Sequence, residues 1–154
     1  MKIKLLHIGK PGAPFEAIVR EYSRKISLYA DFELISVKQA RHLPIDSTVK
    51  TESERLLANT ENRDFVVALS EEGKQKNSLD FAEFLAKTEQ SARPIAFLIG
   101  GAYGLSAEAK ARANLVLSMS QLTFQHDIAL VVALEQIYRA MTILRGEEYH
   151  KQGI

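Results

Sequence analysis

The 154-residue chain contains no cysteine. Disulfides, thiolate metal ligands and cysteine nucleophiles are therefore excluded, and secretion gains no support. The chain has only four histidines, and they are scattered, with neither an i, i+4 pair nor an HExxH motif. They are His7, His42, His126 and His150. We therefore expect no metal site.

An excess of charge of either sign is also absent, because 20 Lys and Arg residues oppose 19 Asp and Glu residues. Any face that binds phosphate must then be a local patch. Residues 1–9 alternate like a strand and lack the apolar core and cleavage site of a signal peptide. We expect one domain over residues 1–154, without a membrane span and located in the cytoplasm.

Strand and helix patterns alternate along the whole chain. Strands are predicted at residues 3–8, 32–37, 65–69, 95–99 and 114–118. Helices are predicted from about Phe15 to Ile26, at 47–59, after Ser78 as N-cap, at 107–113 after Ser106, and from about His126 to Leu144. The short strands read as continuous apolar runs, which is typical of parallel strands covered on both faces. The pattern predicts a doubly wound α/β fold with a parallel sheet.

Three of these strands end in loops that we expect to share one crevice. The loops are residues 70–73, 100–104 and 119–124. Open α/β sheets bind ligands beyond the carboxyl ends of their strands, so these loops predict a ligand site.

The chemistry of the loops leaves more than one ligand open. Gly100-Gly101-x-x-Gly104 suggests a dinucleotide site but lacks the G-x-G spacing and follows the wrong strand, and it is also explained by a tight turn. Residues 119–124 include no Lys or Arg, which disfavours a nucleoside triphosphate. An adenosine-bearing cofactor without phosphate groups fits them, as does a plain connection between strand and helix.

The last predicted helix is apolar on nearly every face. Glu135, Gln136 and Arg139 lie within it, which argues against a membrane span. In a domain of this size, one face is expected to pack on the sheet and another on a second subunit, which predicts a homodimer. Arg139 needs a partner, and Glu135 one turn earlier is the simplest one.

Two further features carry titratable groups. His126 at the start of the last helix is explained by capping or packing as well as by a functional role. Residues 145–151 combine cations, the ring of Tyr149 and the imidazole of His150. Such a set can stack on a base, hold a phosphate and move a proton, although polar termini are also often frayed.

Five segments together resemble one known family. They are KIKLLHIGK at 2–10, FLIGGAYGL at 97–105, LSMSQLTFQH at 117–126, LEQIYRA at 134–140 and RGEEYH at 145–150. In this order and spacing, the sequence resembles the RlmH methyltransferases of the SPOUT superfamily. The resemblance covers essentially the whole chain.

The resemblance implies a parallel-sheet α/β knot, with a trefoil knot in the C-terminal part. It implies that S-adenosylmethionine is the cofactor. Its contacts would be Leu69, Gly100, Met119, Ser120, Gln121, Leu122, Thr123 and Phe124. The candidates for RNA placement and proton handling are Arg139, Tyr149 and His150, with His126 in a supporting role.

The implied reaction is methylation of N3 of a pseudouridine in 23S ribosomal RNA on the assembled ribosome, by a homodimer whose subunits complete each other's sites. Two positions depart from the pattern common in the family. Gln125 stands where a proline is frequent, and Leu130 where an arginine is frequent. The missing arginine is the best support for an alternative, a non-catalytic ribosome-binding protein that retains the knot fold.

Overall fold

A computed structural model describes residues 1–151 and contains every strand and helix that the sequence predicts. Residues 152–154 of the predicted domain lie outside the described residues. The strands are β1 (Lys2–Ile8), β2 (Asp31–Val37), β3 (Phe65–Gln75), β4 (Ile95–Ile99) and β5 (Leu115–Ser118). The helices are α1 (Ala13–Ser27), α2 (Ile45–Ala58), α3 (Ser78–Gln90), α4 (Ala107–Arg112) and α5 (His126–Leu144).

The five strands form one parallel sheet in the order β2-β1-β4-β3-β5. All of their carboxyl ends therefore lie at the same edge. Helices cover both faces, because α1, α3 and α5 contribute to one buried cluster and α2 and α4 to the other. This is the doubly wound arrangement predicted from the alternation of elements.

The central strand β4 is covered by helices on both faces, which explains why its sequence is a continuous apolar run. Ile95, Phe97 and Ile99 point into the cluster beneath α1, α3 and α5, whereas Ala96 and Leu98 point into the other cluster. Each of these five side chains is at most 4% exposed. Since successive strand residues alternate between faces, a strand covered on both sides favours apolar residues at every position.

Two local predictions were wrong. Residues 70–73 are not a simple turn after β3, because the strand resumes and pairs Lys74 and Gln75 with the end of β5 after a register shift. Polar residues in this extension hid it from the apolar pattern. The N-cap of α3 is Asn77 rather than Ser78, since the Asn77 side chain accepts a hydrogen bond from the Asp80 N–H at 2.8 Å.

Helix α5 packs between α1 and α3 on the sheet. Leu130, Leu134 and Ile137 face the core and are at most 1% exposed. Two apolar residues of the same helix, Ile128 and Leu144, remain more than 40% exposed. Packing within the chain thus buries only part of the apolar surface of α5. No helix within residues 1–151 has the length and apolarity that crossing a membrane would require.

Candidate functional site

One cavity of about 260 Å³ lies at the carboxyl edge of the sheet, between the bulged residues 70–73 of β3 and the loops that follow β4 and β5. This confirms that the three loops share a crevice. Of the predicted cofactor contacts, all but Gln121 line the cavity, and the exposed side chain of Gln121 does not. Two further lining residues, Ile99 and Ala129, lie outside the three predicted loops.

Residues 70–73, within β3, reach the cavity because the strand bulges there. Gly73 lies against the backbone of β5, where a Cβ would come within 2.6 Å of the Val116 carbonyl group. Only glycine allows this close approach of two chain segments. The bulge directs Ser70 and Glu71 into the cavity before pairing with β5 resumes.

The glycine loop after β4 forms a tight turn. The Gly104 N–H donates to the Gly101 carbonyl at 3.0 Å, and Gly104 has φ of +79°. Gly101 lies directly over a buried carboxylate, since a Cβ on it would be 2.6 Å from Glu52 Oε1. The other oxygen of Glu52 accepts from the Ala40 N–H at 3.1 Å. Helix α2 therefore holds the glycine loop and the loop after β2 in a fixed relation.

The loop after β5 is held by its own polar side chains. Ser118 Oγ donates to the Ser120 carbonyl at 2.8 Å, and Ser120 Oγ accepts from the Leu122 N–H at 3.0 Å. Gln125 then caps α5, because its side-chain oxygen accepts from the N–H groups of Asp127 and Ile128. Gln125, one of the two residues that depart from the family pattern, thus has a structural role at the start of α5.

His126 lies at the cavity mouth and lines both this cavity and an adjoining groove. Its Nε2 is 3.7 Å from Asp127 Oδ1, and Asp127 Oδ2 accepts from the Gly12 N–H at 3.2 Å. Asp127 therefore ties the start of α5 to the loop before α1. Burial of the nearby His7 lowers the pKa of its imidazole.

The C-terminal segment is docked rather than frayed. Tyr149 packs edge-on against Tyr138 with ring centroids 4.7 Å apart, and its hydroxyl lies 3.3 Å from that of Tyr22. Tyr29 donates a hydrogen bond to Glu147 at 2.7 Å. That bond raises the pKa of Tyr29 to about 12.

Arg139, Tyr149 and His150 come together around Glu135; these four residues are the tail cluster. Glu135 Oε1 accepts from Arg139 Nε at 3.1 Å, from Arg139 Nη2 at 2.6 Å and from the Tyr149 hydroxyl at 3.0 Å. The predicted Arg139–Glu135 pair is confirmed. Hydrogen bonding to Glu135 raises the pKa of Arg139, and burial first, then the bonds to Tyr22 and Glu135, raise that of Tyr149.

Arg139 also fixes the tautomer of His150. Arg139 Nη1 lies 3.2 Å from His150 Nδ1, and a guanidinium can only donate. His150 Nδ1 is therefore the acceptor, and the neutral imidazole carries its proton on Nε2. The cluster offers hydrogen-bond donors and one cation while Tyr149 stays protonated.

The cavity and the tail cluster are far apart within one chain. His126 and Arg139 are separated by 13 residues of a single α-helix, which corresponds to about 20 Å along its axis. The structure therefore groups the predicted cofactor contacts with His126, and the remaining predicted catalytic residues with one another, but does not bring the two groups together. Within residues 1–151, no cluster of three His, Cys, Asp or Glu residues is arranged to hold a metal ion.

Comparisons with known proteins agree on one family. A family model described as a predicted SPOUT methyltransferase matches residues 1–150. A protein of Pseudothermotoga lettingae named ribosomal RNA large subunit methyltransferase H is 35% identical over 151 residues, which is 97% of this chain and 99% of that protein. Proteins of the same name from Gemmatimonas aurantiaca and Anaeromyxobacter dehalogenans are 40% and 41% identical, over 98% of this chain and 100% of theirs.

Solved structures support the fold. A tRNA (m1G37) methyltransferase from Aquifex aeolicus superimposes with a TM-score of 0.58 at 15% identity, over 100% of this chain and 75% of that one. A probable methylase family protein from Haemophilus influenzae gives 0.56 at 13% identity, over 97% and 70% of the two chains. Together with the family match, these structures confirm the predicted fold class, a parallel-sheet α/β knot of the SPOUT type.

Proposed function

Because the chain belongs to the SPOUT methyltransferase family, we propose that it transfers a methyl group from S-adenosylmethionine to N3 of a pseudouridine in large-subunit ribosomal RNA. The observation that carries the proposal is the cavity between the three loops, in a chain 35–41% identical over nearly its whole length to proteins named ribosomal RNA large subunit methyltransferase H. The reaction takes place on the assembled ribosome, which puts the protein in the cytoplasm, and residues 1–154 act as one domain.

The residues that line the cavity fit this cofactor. They include no Lys or Arg, so the cavity offers no cation to a phosphate group. Leu69 and Phe124 supply apolar surface for a flat ring, and Gly100 lines the cavity without a side chain. The carboxylate of Glu71 suits a ligand that carries positive charge. When bound, S-adenosylmethionine supplies an electrophilic methyl group on a sulfonium.

Met119, Ser120, Leu122 and Thr123 also line the cavity, and we assign Gln121 to the cofactor from the family resemblance alone. Calorimetry with S-adenosylmethionine, S-adenosylhomocysteine and NAD tests this assignment. We expect binding of the first two and none of NAD. Preferential binding of NAD would contradict the assignment and would favour the interpretation of the glycine loop as a dinucleotide site.

The tail cluster supplies what the acceptor nitrogen needs. An imide N3 carries a proton and becomes nucleophilic only as that proton passes to solvent water, so donors to the flanking carbonyl oxygens, which stabilise the resulting anion, promote the reaction. Arg139 offers a cation, and His150 offers an N–H at Nε2. We assign these two residues to stabilising the imide anion, Tyr149 to positioning Arg139 and contacting RNA, and His126 to support at the cavity mouth.

A homodimer would complete the site, since one chain keeps the cavity and the tail cluster about 20 Å apart. Exposed apolar side chains near the cavity support a subunit interface there, among them Leu122 and Ile128. The close crossing of Gly73 and Val116, where β3 resumes beside β5, supports the trefoil threading that the family fold implies.

Mixing two inactive variants tests the composite site. Gly100→Val disrupts the glycine loop of the cavity, because a Cβ on Gly100 would lie 2.5 Å from the Gly104 backbone, and Arg139→Ala disables the tail cluster. In a two-fold dimer, half of the molecules of a 1:1 mixture are mixed dimers with one intact site of two, so about a quarter of wild-type activity returns. A mixture that stays inactive, although both variants bind each other, would show that each chain uses its own tail.

Methyl incorporation into ribosomes from cells that lack the homologous enzyme tests the function itself. We expect label in large-subunit RNA. Cofactor binding without any label would favour the alternative, a ribosome-binding protein that kept the knot. Leu130 is the residue on which that alternative depends, and its side chain is only 1% exposed in the core. It therefore offers no group to RNA.

A further inference from the structure

A groove of about 490 Å³ adjoins the cavity and lies between the loops that follow β1 and β2. It shares Gly101, Ala102 and His126 with the cavity, so the two open side by side at the same edge of the sheet. The reaction described above does not use the groove. Its position means that a chain bound along it passes the mouth of the cavity.

Three cationic side chains line the groove, and no carboxylate does. They belong to Lys10, Lys38 and Arg41, and all three residues are exposed. Lys10 forms an ion pair with Glu16, with Nζ and Oε1 3.3 Å apart. Lys38 and Arg41 form no ion pair within residues 1–151. In a chain with a net charge of +1, this is a local concentration of positive charge.

The two loops that carry these cations are bound to each other. The Gly9 N–H donates to the Val37 carbonyl at 2.8 Å, and Ser36 Oγ donates to the Gly9 carbonyl at 2.8 Å. Arg55 Nη1 donates to the Lys38 carbonyl at 2.9 Å. The spacing of the two sides of the groove is therefore set before any ligand arrives.

The loop after β2 is also held in place by a buried hydrogen bond. Ala40 is buried, and its N–H donates to the buried carboxylate of Glu52. His42 adopts a φ of +62°, which non-glycine residues rarely do. With Ala40 held inward, the exposed Lys38 and Arg41 on either side of it line the groove. Prearranged cations cost less entropy on binding than cations on a free loop.

We propose that this groove binds the sugar-phosphate backbone of the substrate RNA next to the target nucleotide, with Lys38 and Arg41 as its phosphate ligands. The inference rests on the proposed function and deepens it by naming the RNA surface. Phosphate contacts fix register and orientation, whereas the base is recognised elsewhere. An acidic protein segment could also meet cations, but RNA is favoured because the groove opens beside the methyl-transfer cavity.

The double variant Lys38→Ala/Arg41→Ala tests the groove. Its control is Lys2→Ala/Arg112→Ala, which removes the same charge from the amino-terminal edge of the sheet. For the groove variant we expect a KM for ribosomes raised roughly tenfold, with kcat and the affinity for S-adenosylmethionine unchanged. The slope of log affinity against log salt should fall by about 1.4, because each phosphate of a single strand contributes about 0.7. The control should match the wild type.

Equal KM values and salt slopes for the wild type and the groove variant would overturn the proposal. A wild type that transfers no methyl group would instead refute the proposed function, and ribosome binding measured against salt would still decide the groove. Photo-crosslinking from Gln39→p-benzoylphenylalanine identifies the occupant. Crosslinks to ribosomal RNA support the proposal, and crosslinks only to ribosomal proteins contradict it.

Discussion

Glu135 holds the tail cluster together, and replacing it isolates the role of that cluster. The substitution Glu135→Gln keeps the shape of the side chain but removes the charge that receives two N–H bonds from Arg139 and one O–H bond from Tyr149. Both members of the Arg139–Glu135 pair are largely buried, with 24% and 20% of their side chains exposed. The pair is therefore screened less than a surface pair.

The expected loss of stability is modest. Hydrogen bonds to charged groups contribute about 1.5–3 kcal/mol, and the amide oxygen of glutamine still accepts, so we expect the free energy of unfolding to fall by about 1 kcal/mol. For a chain of this length, that lowers Tm by about 2–4 °C. The expected loss of activity is larger, because Arg139 and His150 are no longer held: kcat should fall at least about tenfold, which is about 1.4 kcal/mol of activation free energy.

The matched control is Glu147→Gln, which removes the same charge from the segment after α5 and weakens only a hydrogen bond from Tyr29. Thermal unfolding, methyl transfer to ribosomes and calorimetry with S-adenosylmethionine are measured for both variants. Cofactor affinity should not change in either, since we assign the tail cluster to the RNA acceptor and not to S-adenosylmethionine. A wild-type kcat for Glu135→Gln, or an equal loss for Glu147→Gln, would refute the reasoning.

Three further substitutions probe the scaffold of the site. Gly101→Ala places a Cβ 2.6 Å from Glu52 Oε1, so calorimetry should show weaker cofactor binding that the shorter side chain of Glu52→Asp restores; no loss would refute the contact. Gln125→Ala removes the cap of α5 and should cost about 1 kcal/mol in thermal unfolding, whereas an unchanged Tm would show that the cap is dispensable. Lys4 is buried against Asp64 at 3.0 Å; burial lowers its pKa, but the hydrogen bond and the charge of Asp64 outweigh it and raise the pKa above 10.5. Since the folded pKa exceeds the unfolded one, this stabilisation is complete below pH 10.5 and lost as pH rises through the folded pKa. Lys4→Met should cost about 3–5 kcal/mol at neutral pH, and its penalty should shrink above pH 10.5; a penalty independent of pH would contradict the pairing.

The sequence predicted the sheet well for a physical reason. Parallel strands covered by helices must be apolar on both faces, so strands such as Ile95–Ile99 stand out from their polar surroundings. The three loops then followed from topology, because carboxyl ends of parallel strands meet at one edge. The extension of β3 to Gln75 was missed because its residues are polar and pair only after a bulge at Gly73.

The tail cluster shows where prediction from the sequence stops. The i, i+4 spacing of Glu135 and Arg139 was readable, and the structure confirms that pair. The docking of Tyr149 beside Tyr22 joins residues 127 positions apart, and no local pattern encodes such a contact. The separation of cavity and cluster along α5 was likewise invisible until the helix was placed. The threading of the chain came from the resemblance alone, since folds in general avoid it.

Methyl transfer to ribosomal RNA is tested most directly by incubating the protein with radiolabelled S-adenosylmethionine and ribosomes from cells lacking the homologous enzyme, then locating the label by mass mapping of nucleosides. We expect one methyl group on N3 of a pseudouridine in the large-subunit RNA, absent with Arg139→Ala. Label at another atom or in another RNA would contradict the proposed target. No label, with the cofactor bound, would contradict the proposed activity.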